Sequence, residues 1–83
     1  MDDITSLTVQ VLAFGPLASN LGGRSSNHRL SVGSTVKDLV TMLDLAAWLD
    51  MGLSVAVNGE RCAPDRTLAD GDEVALLPPV SGG

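Results

Sequence analysis

Aromatic residues are almost absent from this chain of 83 residues: Phe14 and Trp48 are the only two, and tyrosine does not occur. The core is therefore expected to be aliphatic, and a hydrophobic content of 45% suffices for one small domain. No apolar run approaches the roughly 18 residues that a membrane-spanning helix requires. The acidic start, Met1-Asp2-Asp3, is also unlike a secretory signal peptide.

Basic residues, cysteine and histidine are scarce as well. Five Lys and Arg stand against ten Asp and Glu, and the net charge of −5 argues against a nucleic-acid partner, whose phosphates require a basic surface. The single cysteine, Cys62, excludes an intramolecular disulfide and fits a reducing compartment. The single histidine, His28, has no thiols or carboxylates clustered around it. We therefore predict a cytoplasmic protein without a metal site or a stably bound cofactor.

Catalytic constellations are missing too. No Ser/His/Asp or Cys/His set can be assembled, and Asp70, Asp72 and Glu73 have the character of turn and strand-edge charges. The sequence ends on Gly82-Gly83, and a terminal carboxylate on residues without side chains can enter a narrow channel. A carboxylate is inert until it is activated. The chain is therefore expected to have no catalytic site of its own and to depend on an outside enzyme.

One main helix is predicted in the middle of the chain. Thr35 is a good N-cap, and Asp38 lies in the first turn, where the helix dipole favours a negative charge. The apolar positions that follow have the spacing of one buried helix face: Val36, Leu39, Val40 and Leu43. The pattern continues loosely to Met51, with Asp44 as a candidate break between two helical pieces. A shorter helical segment is predicted at residues 16–21.

Strands are predicted at residues 7–14, 28–32, 53–57, 60–63 and 73–77. Asn58-Gly59 predicts a type I′ turn between the third and fourth, since both residues tolerate a positive φ. The helical link between the second and third strands is typical of a parallel pair. The order β-β-α-β-β-β is that of an α+β, β-grasp fold, a mixed five-stranded sheet packed on one main helix. Residues 1–83 are expected to form a single domain with a flexible tail at 78–83.

One helix can cover only one face of such a sheet, so the other face is open to solvent or to a partner. If the first and last strands lie close together, five apolar side chains on that face form a patch near the root of the tail. Exposed patches of this kind mark protein docking sites. The predicted docking residues are Leu12, Phe14, Ala56, Ala75 and Leu77.

The end of the chain carries a specific resemblance. Asp70-Gly71-Asp72-Glu73-Val74 leads into Leu77-Pro78-Pro79-Val80-Ser81-Gly82-Gly83, and Ala56-Val57-Asn58 precedes both. Over residues 56–83 the chain resembles the small, MoaD-like subunit of molybdopterin synthase, a member of the ubiquitin-like sulfur carriers. A strand that ends in Pro-Pro-Val, a small residue and Gly-Gly is far more specific than Gly-Gly alone.

The resemblance implies a carrier cycle centred on Gly83. An E1-like, MoeB-like adenylyltransferase would convert its carboxylate to an acyl-adenylate with ATP and Mg²⁺, and a persulfide sulfur donor would convert that to a C-terminal thiocarboxylate. The large, MoaE-like catalytic subunit would then receive the tail and transfer the sulfur to cyclic pyranopterin monophosphate, making molybdopterin for the molybdenum cofactor. Two loaded carriers would be consumed per product, in a heterotetramer of two small and two large subunits. The tail residues that would enter the partner are Pro79, Val80, Ser81 and Gly82.

The resemblance leaves other functions open. A related carrier could serve thiazole formation in thiamine synthesis, as ThiS does, or cysteine synthesis. A ubiquitin-like modifier would instead conjugate through Gly83 to lysines of target proteins, and a plain β-grasp interaction module would make no use of the Gly-Gly end. Similar carriers often have aromatic residues at the positions of Ala13, Leu76 and Leu77, so a less bulky docking face is expected here.

Overall fold

The computed structural model describes residues 5–79. Within that range the chain forms five strands and three short helices. In chain order they are β1 (Ser6–Ala13), α1 (Pro16–Asn20), β2 (Ser25–Ser31), α2 (Val36–Met42), α3 (Ala46–Asp50), β3 (Ser54–Val57), β4 (Glu60–Cys62) and β5 (Glu73–Leu77).

The five strands form one mixed sheet in the order β2-β1-β5-β3-β4. β1 and β5 are parallel neighbours in its middle, and the other three pairs are antiparallel. This arrangement confirms the predicted β-grasp fold. The parallel pair, however, is not the one that the helical link suggested. β2 and β3 run in the same direction but are separated by β1 and β5, so the helices carry the chain from one side of the sheet to the other.

One face of the sheet packs against the helices to form an aliphatic core. Alternate residues of β1 are buried as predicted, with Leu7, Val9, Val11 and Ala13 between 0% and 4% exposed. Leu68, in the loop before β5, is 3% exposed and fills the core as predicted. The α2 residues of the core are Val36, Leu39 and Val40, each fully buried.

The main helix begins at a complete capping box and is shorter than predicted. Thr35 Oγ1 accepts the N–H of Asp38 at 3.3 Å, and Asp38 Oδ2 accepts the N–H of Thr35 at 2.9 Å. The helix ends after Met42, and the break predicted at Asp44 is confirmed by a left-handed φ of 63°. A single continuous helix is therefore wrong, because the turn at Asp44 brings Leu45, 2% exposed, into the core before α3 begins.

β2 begins three residues earlier than predicted. Residues 25–27 are polar and carry no apolar alternation, which is why the sequence pattern indicated a loop. In the sheet they pair with β1 in continuous register, Ser25 opposite Leu12 and Asn27 opposite Gln10. Hydrogen bonding to β1 therefore outweighs the low intrinsic β-propensity of these polar residues, as is common in sheets. The other strand boundaries differ from prediction by one residue at most at each end.

The Asn58-Gly59 turn is confirmed and also anchors β5. Both residues have positive φ, 53° and 85°. The Asn58 side chain donates to Asp72 Oδ1 at 2.9 Å and accepts the N–H of Glu73 at 3.0 Å. Asp72 in turn accepts the N–H of Ala69 at 2.8 Å through Oδ2. These three hydrogen bonds, which we call the lock, hold the acidic segment before β5 in place and so set where the last strand begins.

Replacing Asn58 should test that lock. Asn58→Ala removes both side-chain hydrogen bonds. It also puts alanine at a positive φ, which asparagine tolerates better because its short polar side chain can form hydrogen bonds locally. We expect a loss of about 2 kcal/mol in the free energy of unfolding, measured by urea titration. Asn58→Gly removes the same hydrogen bonds but relieves the backbone, so it should be about 1 kcal/mol less damaging than alanine. Equal stability of Asn58→Ala and the parent chain would show that the lock contributes nothing.

Candidate docking face and tail exit

The open face of the sheet divides into a polar end and an apolar end. On this outer face Thr8 and Gln10 of β1 lie at one end, with Gln10 level with Glu73 of β5. The next row crosses three strands, because Leu12 pairs with Ala75 and Ala75 pairs with Ala56. β5 then ends with Leu77 opposite Ser54, and Phe14 follows Ala13, the partner of Leu76. The apolar end therefore lies where β5 leaves the sheet.

The structure brings together the five residues predicted for docking, which we call the apolar row. Leu12, Ala75 and Leu77 are half-buried, and Phe14 is 46% exposed. Ala56 lies on the same face but is only 8% exposed. The prediction that it is an exposed member of the patch is therefore wrong, and its side chain lies beneath the surface of the patch. Its small side chain lies level with Ala75, which makes the middle of the patch flat. That these residues dock a partner stays a prediction.

From the sequence, small side chains at residues 13, 76 and 77 are expected to make the docking face less bulky, and this expectation is wrong at two of the three positions. Ala13 and Leu76 pair across β1 and β5 and point to the helices, with 1% and 0% exposure. Their size therefore bears on core packing and not on docking. Only Leu77, of the three positions named, faces outward. Strand alternation decides this, since neighbouring residues point to opposite faces.

The chain leaves the sheet between two glycine turns. A Cβ built on Gly15 would lie 3.4 Å from Pro78 Cγ, and one built on Gly52 would lie 3.3 Å from Pro79 Cβ. Both glycines have positive φ, 60° and 103°, where a side chain would also strain the backbone. Gly15 and Gly52 thus allow the two prolines to lie close to the body of the protein. They fix the direction of the exit before the last four residues.

Gly52→Ala should disturb this exit. The added Cβ meets Pro79 and the positive φ disfavours alanine, so we expect a loss of about 1–3 kcal/mol in stability. It should also shift the Cα signals of Pro78 and Pro79 in carbon-detected NMR. Gly33→Ala is the matched control, because Gly33 has a φ of 96° and nothing within 4 Å of its Cβ position. Proline signals that move equally in both variants would contradict a specific contact at the exit.

Sequence reasoning missed Gly15 and Gly52, since the contacts that give them a role are far apart in the chain. It also missed Arg24. A pocket beside the apolar row is lined by Ala13, Phe14, Gly15, Ala18 and Arg24. The Arg24 side chain is exposed there, although its carbonyl accepts the N–H of Ala13 at 2.8 Å. Because Arg24 pairs with Ala13, whose side chain points to the helices, strand alternation directs Arg24 to the helix-covered face and not to the apolar row.

The tail is described only at its root. Pro79 is half-buried, whereas Val80, Ser81, Gly82 and Gly83 lie outside the described residues.

Cys62 is half-buried with its thiol 3.8 Å from the Val55 carbonyl, and the described residues hold no group of three metal-ligating side chains. No helix within residues 5–79 has the length and apolar character needed to cross a bilayer.

The fold and the open face define a ubiquitin-like β-grasp protein. The chain belongs to the ThiS family, whose model matches residues 11–83. ThiS-family proteins are small carriers without catalytic activity of their own. No curated protein matches the sequence significantly.

Three solved structures are similar over nearly their whole length. SAMP1 of Haloferax volcanii, a small archaeal modifier protein, is 32% identical with a TM-score of 0.73, over 92% of this chain and 99% of that one. A putative molybdopterin converting factor subunit 1 from Pyrococcus furiosus is 26% identical with a TM-score of 0.74, over 89% and 99%. A chain from the complex of subunits 1 and 2 of the Helicobacter pylori molybdopterin-converting factor is 30% identical with a TM-score of 0.58, over 93% and 100%.

Proposed function

We propose that this protein is the sulfur carrier subunit of a molybdopterin synthase. The observation that carries the proposal is the apolar row beside a directed exit, which leads into Pro79-Val80-Ser81-Gly82-Gly83. A flat apolar surface next to a narrow, glycine-ended tail suits a partner that holds the body and admits the tail. The likeness to subunit 1 of molybdopterin-converting factors supports this pathway.

The chemistry begins with activation of the Gly83 carboxylate. An E1-like adenylyltransferase joins it to the AMP of MgATP, releasing pyrophosphate, because a free carboxylate has no leaving group. The terminal sulfur of a persulfide displaces AMP to form an acyl disulfide. A second thiol cleaves its S–S bond, which leaves a thiocarboxylate on Gly83 and a disulfide on the thiols. The carrier supplies no catalytic group in these steps.

Sulfur delivery follows on the large subunit. The body docks through the apolar row, and residues 79–82 run into the active site of that subunit. Glycine at the end of the tail fits a narrow tunnel and adopts the backbone angles the tunnel requires, while Pro78 and Pro79 prevent further strand pairing. The thiocarboxylate sulfur bonds to cyclic pyranopterin monophosphate, and water then attacks the Gly83 acyl carbon, which breaks its C–S bond, leaves the sulfur on the substrate and returns Gly83 to the carboxylate. The product needs two sulfurs, so two loaded carriers are used, consistent with an assembly of two small and two large subunits.

The decisive experiment uses chemically prepared Gly83 thiocarboxylate. It is mixed with a molybdopterin synthase large subunit and cyclic pyranopterin monophosphate, and molybdopterin is measured. Product from the thiocarboxylate, with none from the carboxylate form, is expected. Binding of the large subunit without product would reject this pathway, and a parallel thiazole-forming assay would then test a role in thiamine synthesis. Absence of both binding and product would favour a plain interaction module.

A second candidate function is protein modification. The likeness to SAMP1 at 32% identity favours it, because that protein is a small archaeal modifier. A modifier uses the same activated Gly83 but transfers it to a lysine amine, forming an isopeptide bond and releasing AMP or a thiol. Mass spectrometry of tryptic digests from the native cell distinguishes the two. Lysines bearing the remnant of the Gly83 end indicate a modifier, whereas their absence alongside a thiocarboxylate form supports the carrier.

A further inference from the structure

β2 is an outer strand whose free side is long and regular. It pairs with β1 alone, in unbroken register over seven residues. The strand at the opposite side of the sheet, β4, has three residues and is soon followed by Pro64. Proteins commonly protect an open edge with a short strand, a proline or a bulge, because unpaired backbone groups attract another strand. β4 is short and is followed by a proline, whereas β2 has neither feature and only charged side chains such as Arg29 protect its edge.

The hydrogen-bond register identifies the backbone groups on this free edge. Ala13 donates its N–H to the Arg24 carbonyl, and Val32 donates to the Thr5 carbonyl. In an antiparallel ladder, hydrogen-bonded pairs alternate with pairs whose backbone groups point outward. The even-numbered residues of β2 therefore bond β1. The outward-pointing N–H and C=O groups belong to Ser25, Asn27 and Arg29, and at the end of the strand to Ser31, whose carbonyl already accepts the N–H of Ser34.

The free edge is also basic in an otherwise acidic chain. The sequence has a net charge of −5, yet it contains no acidic residue between Asp3 and Asp38. Arg24 and Arg29 are exposed at this edge, and neither guanidinium forms an ion pair with any described residue. His28 lies between them, with Nε2 2.8 Å from Ser26 Oγ.

We propose that the free edge of β2 binds an extended acidic segment of a partner protein by strand addition. The segment would pair with the backbone of Ser25, Asn27 and Arg29, which supplies affinity independent of sequence. Its carboxylates would lie beside Arg29 on the outer face and beside Arg24, which supplies the preference for acid. A second copy of this chain fits less well, because two β2 edges together bring four arginines and no carboxylate.

This site is separate from the docking function proposed above. The edge groups point sideways in the plane of the sheet, whereas the apolar row points outward from it. Leu12 of the row lies opposite Ser25 of β2, so a partner on the row leaves the edge accessible only where its contact ends at β1. The proposal therefore stands whether or not the chain delivers sulfur, and its test needs no loaded tail.

The test is an NMR titration of the full chain with a blocked heptapeptide of alternating threonine and glutamate. We expect hydrogen exchange at the amides of Ser25, Asn27 and Arg29 to slow at least about tenfold at saturation, as new hydrogen bonds form. The amides of Ser26, His28 and Leu30, already bonded to β1, should change little. The matched peptide with glutamine in place of glutamate should bind about two- to fivefold more weakly for each arginine engaged.

Two variants separate the backbone from the charge. Asn27→Pro removes an outward N–H without removing a bond to β1, so it should fold and bind at least about tenfold more weakly. Arg29→Gln should weaken binding about two- to fivefold, whereas Lys37→Gln, with the same charge change on α2, should bind as the parent does. The Arg29→Gln comparison and the exchange pattern keep the test valid should Asn27→Pro fail to fold.

Several outcomes would overturn the proposal. Equal binding of the glutamine and glutamate peptides would remove the role of charge. Slowed exchange at odd and even residues alike, or on β4, would place the peptide elsewhere. No binding at about 1 mM peptide, a concentration typical of weak complexes, would reject strand addition. Peptide-independent self-association in sedimentation, with protection of the same three amides, would assign the edge to a second copy.

Discussion

A chain that lacks Gly83 is expected to keep its fold and to lose sulfur transfer completely. Residues 5–79 contain the sheet, the helices and the core described above, so we expect the fold to persist when the last residue is removed. Deletion moves the terminal carboxylate to Gly82, one residue nearer the body. Because Pro78 and Pro79 lie close beside Gly15 and Gly52, we expect the root of the tail to stay in place and not to restore the reach.

Two assays show whether the chain without Gly83 fails at sulfur loading, at sulfur delivery or at both. Incubation with the activating enzyme, ATP and a persulfide donor is followed by intact mass, which reports exchange of oxygen for sulfur at the terminus. Delivery is measured separately with a shortened chain loaded chemically at Gly82. One residue spans at most about 3.3–3.6 Å, and a misplacement of even 1 Å can cost about a hundredfold in rate. The chemically loaded shortened chain should therefore also fail, while the loaded parent transfers its sulfur.

Gly83→Ala refines the result. It keeps the length of the tail and adds one methyl group at the reacting residue, so it tests the width of the tunnel and not its depth. We expect the variant to fold normally and to be loaded or delivered at least about a hundredfold more slowly. Unimpaired sulfur transfer from the Gly83-deleted chain would falsify the carrier proposal. Activity of Gly83→Ala alone would show only that the tunnel accepts a methyl group.

Much of this fold could be predicted from local signals. The alternation in β1, the Thr35 cap and the Asn58-Gly59 turn each depend on residues close together in the chain, and each was confirmed. β2 was placed too late because Ser25 has no apolar pattern of its own and is paired only through Leu12. Local rules identify elements well where side chains alternate, and poorly where a strand is held by its neighbour.

The candidate site was predictable only in part, for the same reason. Strand alternation placed Leu12 and Ala75 on one face, and the register confirmed that they are partners. The burial of Ala56 and the role of Gly52 could not be read from the sequence, because both depend on packing between segments distant in the chain. The sequence predicts Gly52 only as a helix stop, whereas the position that its Cβ would take lies 3.3 Å from Pro79 Cβ, which gives it a second role at the tail exit.

The second large effect is expected at the centre of the apolar row. Ala75→Lys puts a cation on the outer face between Leu12 and Ala56, the partners of Ala75 on β1 and β3. The fold should survive, because residue 75 is half-buried on the face that the helices do not cover and a lysine can extend into solvent there. A docked partner would bury that charge without a counter-ion, at a cost of about 3 kcal/mol or more. Affinity for the large subunit should therefore fall at least about a hundredfold.

Thr8→Lys provides the matched control. Thr8 lies on the same face and the same sheet but at the polar end, two rows from the apolar row, and its side chain is exposed. The two variants have the same net charge, so general electrostatics would lower both affinities equally. Isothermal titration calorimetry with the large subunit should show Thr8→Lys within about threefold of the parent, since exposed charges at a rim contribute little. If both variants bind equally, whether tightly or weakly, docking does not take place on the apolar row, and the partner must hold the carrier by its tail or by another face.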